Sequence, residues 1–401
     1  MDEDKTSSEG DIQKPDNLPS TEVRPEHHID SVSAPTKKKF SEKLKEFWSK
    51  PKNRLITEGI IGLIVICLVG IILLRWYNEQ SKSSDNIANS KATETTAVEE
   101  KAQSILSGLL VSPSLATRHP LGVIIENHAD ARPQSGVSSA DIVYEAIAEG
   151  GITRYLCLFS SQDAGKVGPI RSARTYFVDI SREYTAFLAH VGGNYDALQQ
   201  IAAQKINDLD QFANGGYYYR DSSKNVSSEH TMYSSTDKLF SLAASKGYAT
   251  ANTFAPLVFK AEALAPDRGL SQKATIEFGA SQYKVVWDYD PTLNSYLRSI
   301  GGLPDQDKAN GQRLAPKNII IQEVTRATTT TAINEKGYSF QLIGSGTAKF
   351  LRDGKLVTGN WKKTSATSRT IFTDSTGLEI SLNPGQTWVE IVHPDLKVTL
   401  E

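Results

Sequence analysis

Residues 59–74 read Gly59-Ile-Ile-Gly-Leu-Ile-Val-Ile-Cys-Leu-Val-Gly-Ile-Ile-Leu-Leu74, a run of sixteen apolar residues without a charge. Trp76 and Tyr77 follow it, and such aromatic residues are typical of the membrane–water interface. As a helix rising ~1.5 Å per residue, residues 55–77 would extend about 34 Å, enough to cross the hydrocarbon core of a bilayer. The sequence therefore predicts one transmembrane helix at residues 55–77.

The charges on either side of this run predict its orientation. Eight of the twenty residues before Leu55 are Lys or Arg, against two of the twenty after Arg75. The positive-inside bias keeps the N-terminus in the cytoplasm and exports everything after residue 77. The run has no small-residue cleavage site, and Val65 and Ile66 before Cys67 are unlike a lipoprotein signal. These features disfavour a cleaved signal peptide and a lipid anchor.

Two segments flank the predicted helix. Residues 1–54 form the cytoplasmic tail: an acidic part with nine acidic and three basic residues, expected to be disordered, precedes a basic juxtamembrane part at 37–54. The basic part suits either an amphipathic helix on an anionic membrane surface or a solvated stalk. Residues 78–117, rich in Ser, Thr, Ala and Glu, predict a flexible linker with a short helix near Val98–Leu110.

The exported part predicts two modules and, overall, an α+β fold. Residues 118–262 alternate strands with helices, which indicates an α/β-type N-terminal module. Residues 263–401 carry short β-branched and aromatic runs separated by turn residues, which indicates an antiparallel, β-rich C-terminal module. The main predicted segments are strands Leu121–Ile125, Ile152–Phe159, Ala186–Val191, Asn318–Glu323, Glu379–Leu382 and Thr387–Val392, and helices Ala173–Tyr184, Tyr195–Gln204 and Thr236–Lys246.

Composition and motifs exclude several classes of function. The chain has 44 basic and 46 acidic residues, a balance that argues against nucleic-acid binding. Cys157 is the only thiol in the exported part, so no disulfide can form within it. The sequence has no HExxH, Walker A, GxSxG or GxGxxG motif, and no cofactor or motif-encoded metal site is predicted. A metal site assembled from distant parts of the chain stays open.

Several stretches contain more charged, aromatic and histidine side chains than packing requires. Arg171 and Arg174 lie three apart at an expected helix start, where they suit a phosphate or carboxylate ligand. The alternative is that these arginines pair with Asp179, Glu145 or Glu149. The Tyr-rich segment 217–219 suits a sugar or peptide ligand as well as it suits core packing. The candidate ligand-binding residues are Asn127, Arg132, Arg171, Arg174, Arg220 and His230.

A series of ordered motifs extends through about residues 118–393. They are Val123-Ile-Ile-Glu-Asn-His128, Ala131-Arg-Pro-Gln-Ser-Gly136, Ala140-Asp-Ile-Val-Tyr-Glu-Ala146, Glu149-Gly-Gly-Ile-Thr-Arg154, Val167-Gly-Pro-Ile-Arg-Ser-Ala-Arg174, His190-Val-Gly-Gly193, Tyr218-Tyr-Arg-Asp-Ser222, His230-Thr-Met-Tyr233 and Leu382-Asn-Pro-Gly-Gln-Thr-Trp388. Together these motifs resemble the YerB-like bacterial proteins. The resemblance implies a two-part domain of unknown function, with N-terminal and C-terminal halves, attached to the outer face of the bacterial membrane. It supplies no catalytic residues.

Three hypotheses for function follow. The first is a single-pass envelope protein in the lipid bilayer whose exported part binds or regulates, with a cell-wall component or a wall-processing enzyme as partner. The second is a hydrolase or transferase acting on a phosphate-bearing or glycan substrate, with Arg171 and Arg174 holding the anion and His230 or Glu145 as acid or base. The third is a sensor whose basic cytoplasmic segment docks a partner. Whether the protein is an enzyme is left undecided.

Overall fold

The computed structural model describes residues 66–77, 100–250 and 252–401. The chain divides into two compact units, Met1–Thr96 and Ala97–Glu401. In the first unit, residues 66–77 are helical. The first half of the predicted membrane helix, the cytoplasmic tail and most of the linker lie outside the described residues. Among the residues that are described, no helix is both long and apolar enough to cross a membrane.

The second unit carries four α-helices, six short 3-10 helices and twenty strands in its described part. The α-helices are α1 (Pro113–Ala116), α2 (Thr175–Glu183), α3 (Tyr195–Ala203) and α4 (Thr236–Ser245). The strands are β1 (Ala102–Gln103), β2 (Leu110–Val111), β3 (Leu121–Glu126), β4 (Ile142–Glu149), β5 (Ile152–Phe159), β6 (Phe187–Ala189), β7 (Tyr219–Arg220), β8 (Met232–Tyr233), β9 (Lys273–Glu277), β10 (Lys284–Asp290), β11 (Ser295–Ile300), β12 (Leu303–Pro304), β13 (Asn318–Glu323), β14 (Arg326–Thr330), β15 (Lys336–Phe340), β16 (Gly344–Arg352), β17 (Lys355–Lys363), β18 (Ile371–Asp374), β19 (Thr387–Val392) and β20 (Val398–Leu400).

A nine-stranded sheet runs through both predicted modules, in the order β18-β17-β16-β13-β19-β4-β5-β3-β6. Strand β19 lies between β13 and β4 and is parallel to both, so that Thr387 is opposite Asn318 on one side and Ile142 on the other. The boundary predicted at residue 262 therefore divides the sequence into two segments whose strands belong to one sheet.

The sheet has other layers on both of its faces. Because side chains alternate along a strand, Val123 and Ile125 of β3 enter one core cluster while Ile124 enters the other. The first cluster includes Trp287 of β10, from a five-stranded sheet with the order β12-β11-β10-β9-β20, and residues of α4. The second includes Phe177 of α2 and Ile201 of α3. The sheet is consequently buried on both faces, which explains why β3 and β19 are buried along their whole length and mostly apolar.

Local signals in the sequence located most of the helices and strands. Ser235 caps α4 by accepting a hydrogen bond from the Lys238 N–H at 3.3 Å. The predicted turn at Asp353-Gly354 joins β16 to β17 with φ values of 52° and 66°. Strands β5, β13 and β19 have the predicted bounds. The α+β class and the β-rich C-terminal part are confirmed.

The structure corrects three expectations. A β1–β2 hairpin occupies most of the segment where a helix was predicted near 98–110, and Leu106 within it is fully buried. The folded part therefore begins before Arg118, because the end of the expected linker supplies core residues. The predicted strand 379–382 makes only isolated bridges. The C-terminal part is also not purely antiparallel, since β13 pairs with β19 in parallel.

Candidate functional site

A fully buried arginine joins the N-terminal and C-terminal strands. The Arg298 guanidinium of β11 forms ion pairs with Asp305 and with Glu145 of β4, the latter with 2.6 Å between Nη2 and Oε2. Its carbon Cζ lies 4.7 Å from the Trp388 ring centroid and 5.4 Å from that of Trp287. Charge pairing and aromatic contact thus hold this cation without exposure to solvent.

Glu145 has no free oxygen for acid–base chemistry. Its Oε2 accepts from Arg298, and its Oε1 accepts from Thr153 Oγ1 at 2.6 Å and from Asn127 Nδ2 at 3.3 Å. The side chain is fully buried. Burial and the Glu145 carboxylate raise the pKa of neighbouring Glu390 well above its usual range. Both oxygens of Glu145 are thus bound by other residues of the protein, which argues against its suggested role as a catalytic acid or base.

Asn127 and Arg132 form an internal link of the same kind. Arg132 donates through Nε to Asn127 Oδ1 at 2.9 Å and through Nη1 to the Gln282 carbonyl at 2.7 Å. Gln134 Nε2 also donates to Asn127 Oδ1, at 2.8 Å. Asn127 is completely buried. Its hydrogen bonds are committed to the protein, so it connects loops and is not open to a ligand.

Arg174 forms an ion pair with Glu149, as the alternative interpretation of this arginine predicted. Its Nε lies 3.2 Å from Glu149 Oε2, and Arg154 Nη2 binds the other oxygen at 3.1 Å. Burial favours the neutral form of the Glu149 carboxyl, but Arg154 and Arg174 outweigh it and lower its pKa.

Arg220, another predicted ligand-binding residue, is also bound within the protein. It donates to the Ser228 carbonyl and thereby holds the loop that carries His230.

The remaining two predicted residues, Arg171 and His230, meet in a cluster that we call the His128–His230 cluster. It comprises Glu126, His128, Asp130, Arg171, Glu229 and His230. Glu126 Oε2 lies 2.8 Å from His230 Nδ1 and 3.0 Å from Arg171 Nε. The two imidazole rings stack with 4.9 Å between centroids and 7° between planes.

Three separate loops build the His128–His230 cluster. His128 follows β3 and caps the short 3-10 helix Ala129–Ala131, Arg171 lies before α2, and His230 ends the 3-10 helix Ser228–His230. Partial burial would lower the pKa of Arg171, but Glu126 and Glu229 outweigh it and raise the pKa. Four members, Glu126, His128, Asp130 and Glu229, were absent from the predicted set, although all four lie in or beside polar stretches that the sequence makes prominent.

An open groove lies beside Glu149 at the β14–β15 hairpin. Its volume is about 410 Å³. The lining residues are Glu149, Gly150, Thr328, Thr329, Thr330, Lys336, Gly337 and Tyr338. Hydroxyl, amine, carboxylate and phenol groups therefore face one space, a set able to hydrogen-bond a polyhydroxylated or peptide ligand.

Comparisons with known proteins place this architecture in a family. The model "Protein of unknown function (DUF3048) N-terminal domain" matches residues 106–249, and the corresponding C-terminal domain model matches residues 274–389. The chain belongs to the DUF3048 family. The two matches of DUF3048 flank the boundary predicted from the sequence, and they confirm the resemblance to YerB-like proteins. The N-terminal match contains the His128–His230 cluster, and the C-terminal match contains Arg298.

A relative from Bacillus subtilis is similar in sequence to this DUF3048 chain over most of its length. "Putative lipoprotein YerB" of Bacillus subtilis (strain 168) is 34% identical over 303 residues, which cover 74% of this chain and 88% of the relative. The crystal structure of YerB protein from Bacillus subtilis superimposes with a TM-score of 0.66 and 29% identity, over 75% of this chain and all of the other. The DUF3048 fold described above is thus shared with a solved structure.

Proposed function

We propose that the protein is a membrane-anchored extracytoplasmic protein of the bacterial cell envelope. In this proposal, residues 55–77 form one transmembrane helix, the N-terminus is cytoplasmic, and the Ala97–Glu401 unit is outside. The observation that carries it is the apolar run 59–74 with its asymmetric flanking charges. The name of the Bacillus subtilis relative, "Putative lipoprotein YerB", supports an extracytoplasmic position, with a lipid in place of a helix as the anchor. Both family matches begin beyond residue 105, on the proposed outer side.

Thiol labelling provides a test of this topology. We expect a membrane-impermeant maleimide to label Asn225→Cys in intact protoplasts and to label Ser7→Cys only after lysis. Both variants carry Cys67→Ser, so that the only native thiol left is Cys157. Cys157 is fully buried, and this burial raises its pKa well above the usual range, so background labelling will be low. Labelling of Asn225→Cys only after lysis would place the folded unit in the cytoplasm and contradict the proposal.

We further propose that the exported unit is a binding or regulatory module for a cell-wall component. The groove at the β14–β15 hairpin supports this role, because its hydroxyl-bearing lining suits a glycan or peptide strand. The internal pairing of Glu145 and Arg174 supports binding rather than catalysis, since both groups would have to leave stable partners to act on a substrate. The partner class is a polymer of the wall.

Wall binding can be tested with a substitution that preserves the strand. We expect Thr328→Val/Thr330→Val to weaken co-sedimentation of the detergent-solubilised full chain with purified peptidoglycan by about tenfold, because two lost hydrogen bonds are each worth about 0.5–1.5 kcal/mol. Valine keeps the shape and β-propensity of threonine. Thr292→Val, exposed and away from the groove, is the matched control. Equal binding of the double variant and the control would reject the groove as the wall-binding surface.

A further inference from the structure

We propose that His128, Asp130 and His230 bind a divalent transition-metal ion, with Zn²⁺ as the ion best suited to the ligand set. The inference goes beyond the envelope role and does not depend on it. One ligand atom from each of the three residues can be chosen so that all lie within 4.8 Å of one another. The sequence contains no spacing motif for this site, because its ligands come from loops about a hundred residues apart.

Two distances in the His128–His230 cluster, one of them to Glu229, are close to the spacing of ligands around a metal ion. Ligands bound at 2.0–2.2 Å in a tetrahedron are separated by about 3.3–3.6 Å. His128 Nδ1 lies 3.7 Å from Asp130 Oδ2, and His230 Nε2 lies 3.8 Å from Glu229 Oε1. Asp130 and Glu229 are both more than half exposed, so their side chains can close the small difference.

The hydrogen bonds around the two imidazoles indicate which nitrogen of each neutral ring carries its lone pair. Glu126 can only accept, so His230 donates through Nδ1 and leaves a lone pair on Nε2. Such a carboxylate behind a histidine is the usual outer partner of a metal ligand, because it orients the ring and raises its basicity. His128 Nδ1 accepts the Asp130 backbone N–H at 3.2 Å, so it is an unprotonated nitrogen on the side of Asp130, and this hydrogen bond is given up when Nδ1 binds the ion.

The charges of the His128–His230 cluster favour a cation. Glu126, Asp130 and Glu229 are opposed by the single guanidinium of Arg171, which leaves a formal charge of −2 with both histidines neutral. Arg171 forms ion pairs with Glu126 and Glu229, and these carboxylates neutralise its positive charge. A dication at the two imidazoles would balance the remaining charge.

The ligand types select the class of metal. Imidazole nitrogens suit Zn²⁺ and other late transition metals, whereas Mg²⁺ and Ca²⁺ prefer all-oxygen sites. Three protein ligands leave a fourth position, which Glu229 Oε1 can occupy or which stays accessible to water. The partly exposed His128 and the exposed Asp130 make the site reachable from solvent.

Metal titration of the full chain in detergent micelles tests the proposal. We expect one equivalent of Zn²⁺ to bind and to raise the thermal midpoint, since a ligand that binds only the folded state stabilises it. Mg²⁺ and Ca²⁺ at the same concentration should have no effect. Co²⁺ should give visible d–d absorption of nitrogen–oxygen coordination. Absence of saturable Zn²⁺ binding by the wild-type chain would overturn the proposal.

Ligand variants locate the bound ion. We expect His128→Asn and Asp130→Asn each to weaken Zn²⁺ binding at least tenfold, a loss typical of metal-site substitutions. Asparagine at 128 can still cap the 3-10 helix, and Asp130 is exposed, so both variants should keep the metal-free thermal midpoint. His393→Asn is the control and should bind as the wild type does. Unchanged affinity in both ligand variants, or an equal loss in the control, would place the ion elsewhere.

Discussion

Replacing Arg298 by methionine is expected to lower the free energy of unfolding by about 3–5 kcal/mol. The methionine fills most of the same volume and keeps contact with the aromatic rings of Trp287 and Trp388. It leaves Glu145 and Asp305 without their cation, and both carboxylates are almost fully buried. Urea unfolding of the detergent-solubilised chain, followed by tryptophan fluorescence, measures the change.

The charges around Arg298 explain the size of this effect. Burial opposes the charge on Arg298, but Glu145, Tyr155 and Asp305 outweigh it and raise its pKa well above the usual range. Among the residues that the structure describes, Arg298 is the one cation that forms ion pairs with the buried Glu145 and Asp305. Without it, Glu145 must either keep an uncompensated charge or take up a proton, and each course costs free energy.

A neighbouring arginine serves as the matched control. Arg313 donates to the Arg298 carbonyl at 3.1 Å and to Ser299 Oγ at 2.7 Å and has no ion pair with a carboxylate among the described residues. Arg313→Met should therefore cost no more than about 1.5 kcal/mol. Equal urea midpoints for the Arg298 and Arg313 variants would show that the buried ion pairs contribute nothing particular to stability.

Lys363→Met is expected to have the second-largest effect, about 3 kcal/mol. Lys363 Nζ of β17 lies 2.8 Å from Glu183 Oε2 of α2, and both side chains are at most 3% exposed. Glu183 also accepts from the Thr370 N–H at 2.7 Å and from Thr370 Oγ1 at 2.8 Å. Loss of the ammonium leaves a buried carboxylate with neutral donors only. The same urea titration measures the loss.

The preceding residue of β17, Lys362, provides a control for the effect of a lysine-to-methionine substitution as such. Lys362 is exposed on the opposite face of β17, so Lys362→Met should change the free energy of unfolding by less than about 0.5 kcal/mol. The double variant Glu183→Gln/Lys363→Met should regain part of the stability, because no unpaired charge remains. A double variant as unstable as Lys363→Met alone would show that lost packing, and not the buried charge, is the cause.

Both ion pairs connect segments that the sequence separates into two modules. Glu145 and Glu183 lie before residue 262, whereas Arg298 and Lys363 lie after it. Together with the shared nine-stranded sheet, they predict a single cooperative unfolding transition for the Ala97–Glu401 unit. The two family matches therefore describe two stretches of sequence within one packed body.

The sequence was informative wherever a structure depends on near neighbours. The N-cap of α4 at Ser235, the turn at Asp353-Gly354 and the buried run of β5 each follow from a few consecutive residues. It misplaced the segment near 98–110, where helix-favouring residues form a hairpin because Leu106 is drawn into the core. Tertiary packing there outweighs a weak local preference.

At the candidate site, too, the sequence predicted local features, and tertiary packing decided which residues meet. Polar stretches at 125–135 and 229–233 could be recognised in the sequence, and the structure does bring His128 and His230 together. The sequence could not distinguish Arg171 from Arg174, since both lie within four residues of the start of α2. Their roles diverge only because Glu126 and Glu229 surround one, while Glu149 and Arg154 surround the other.

By itself, the sequence determined the α+β class, the family resemblance, the positions of most helices and strands, and the apolar run on which the proposed anchor rests. These depend on composition and on periodicity within a few residues. Only the tertiary structure decided that β19, near the end of the chain, joins the two halves, and that Glu145 is bound by Arg298. Such contacts join residues from 69 to 245 positions apart, and no local pattern encodes which distant partner a strand or a charge will meet.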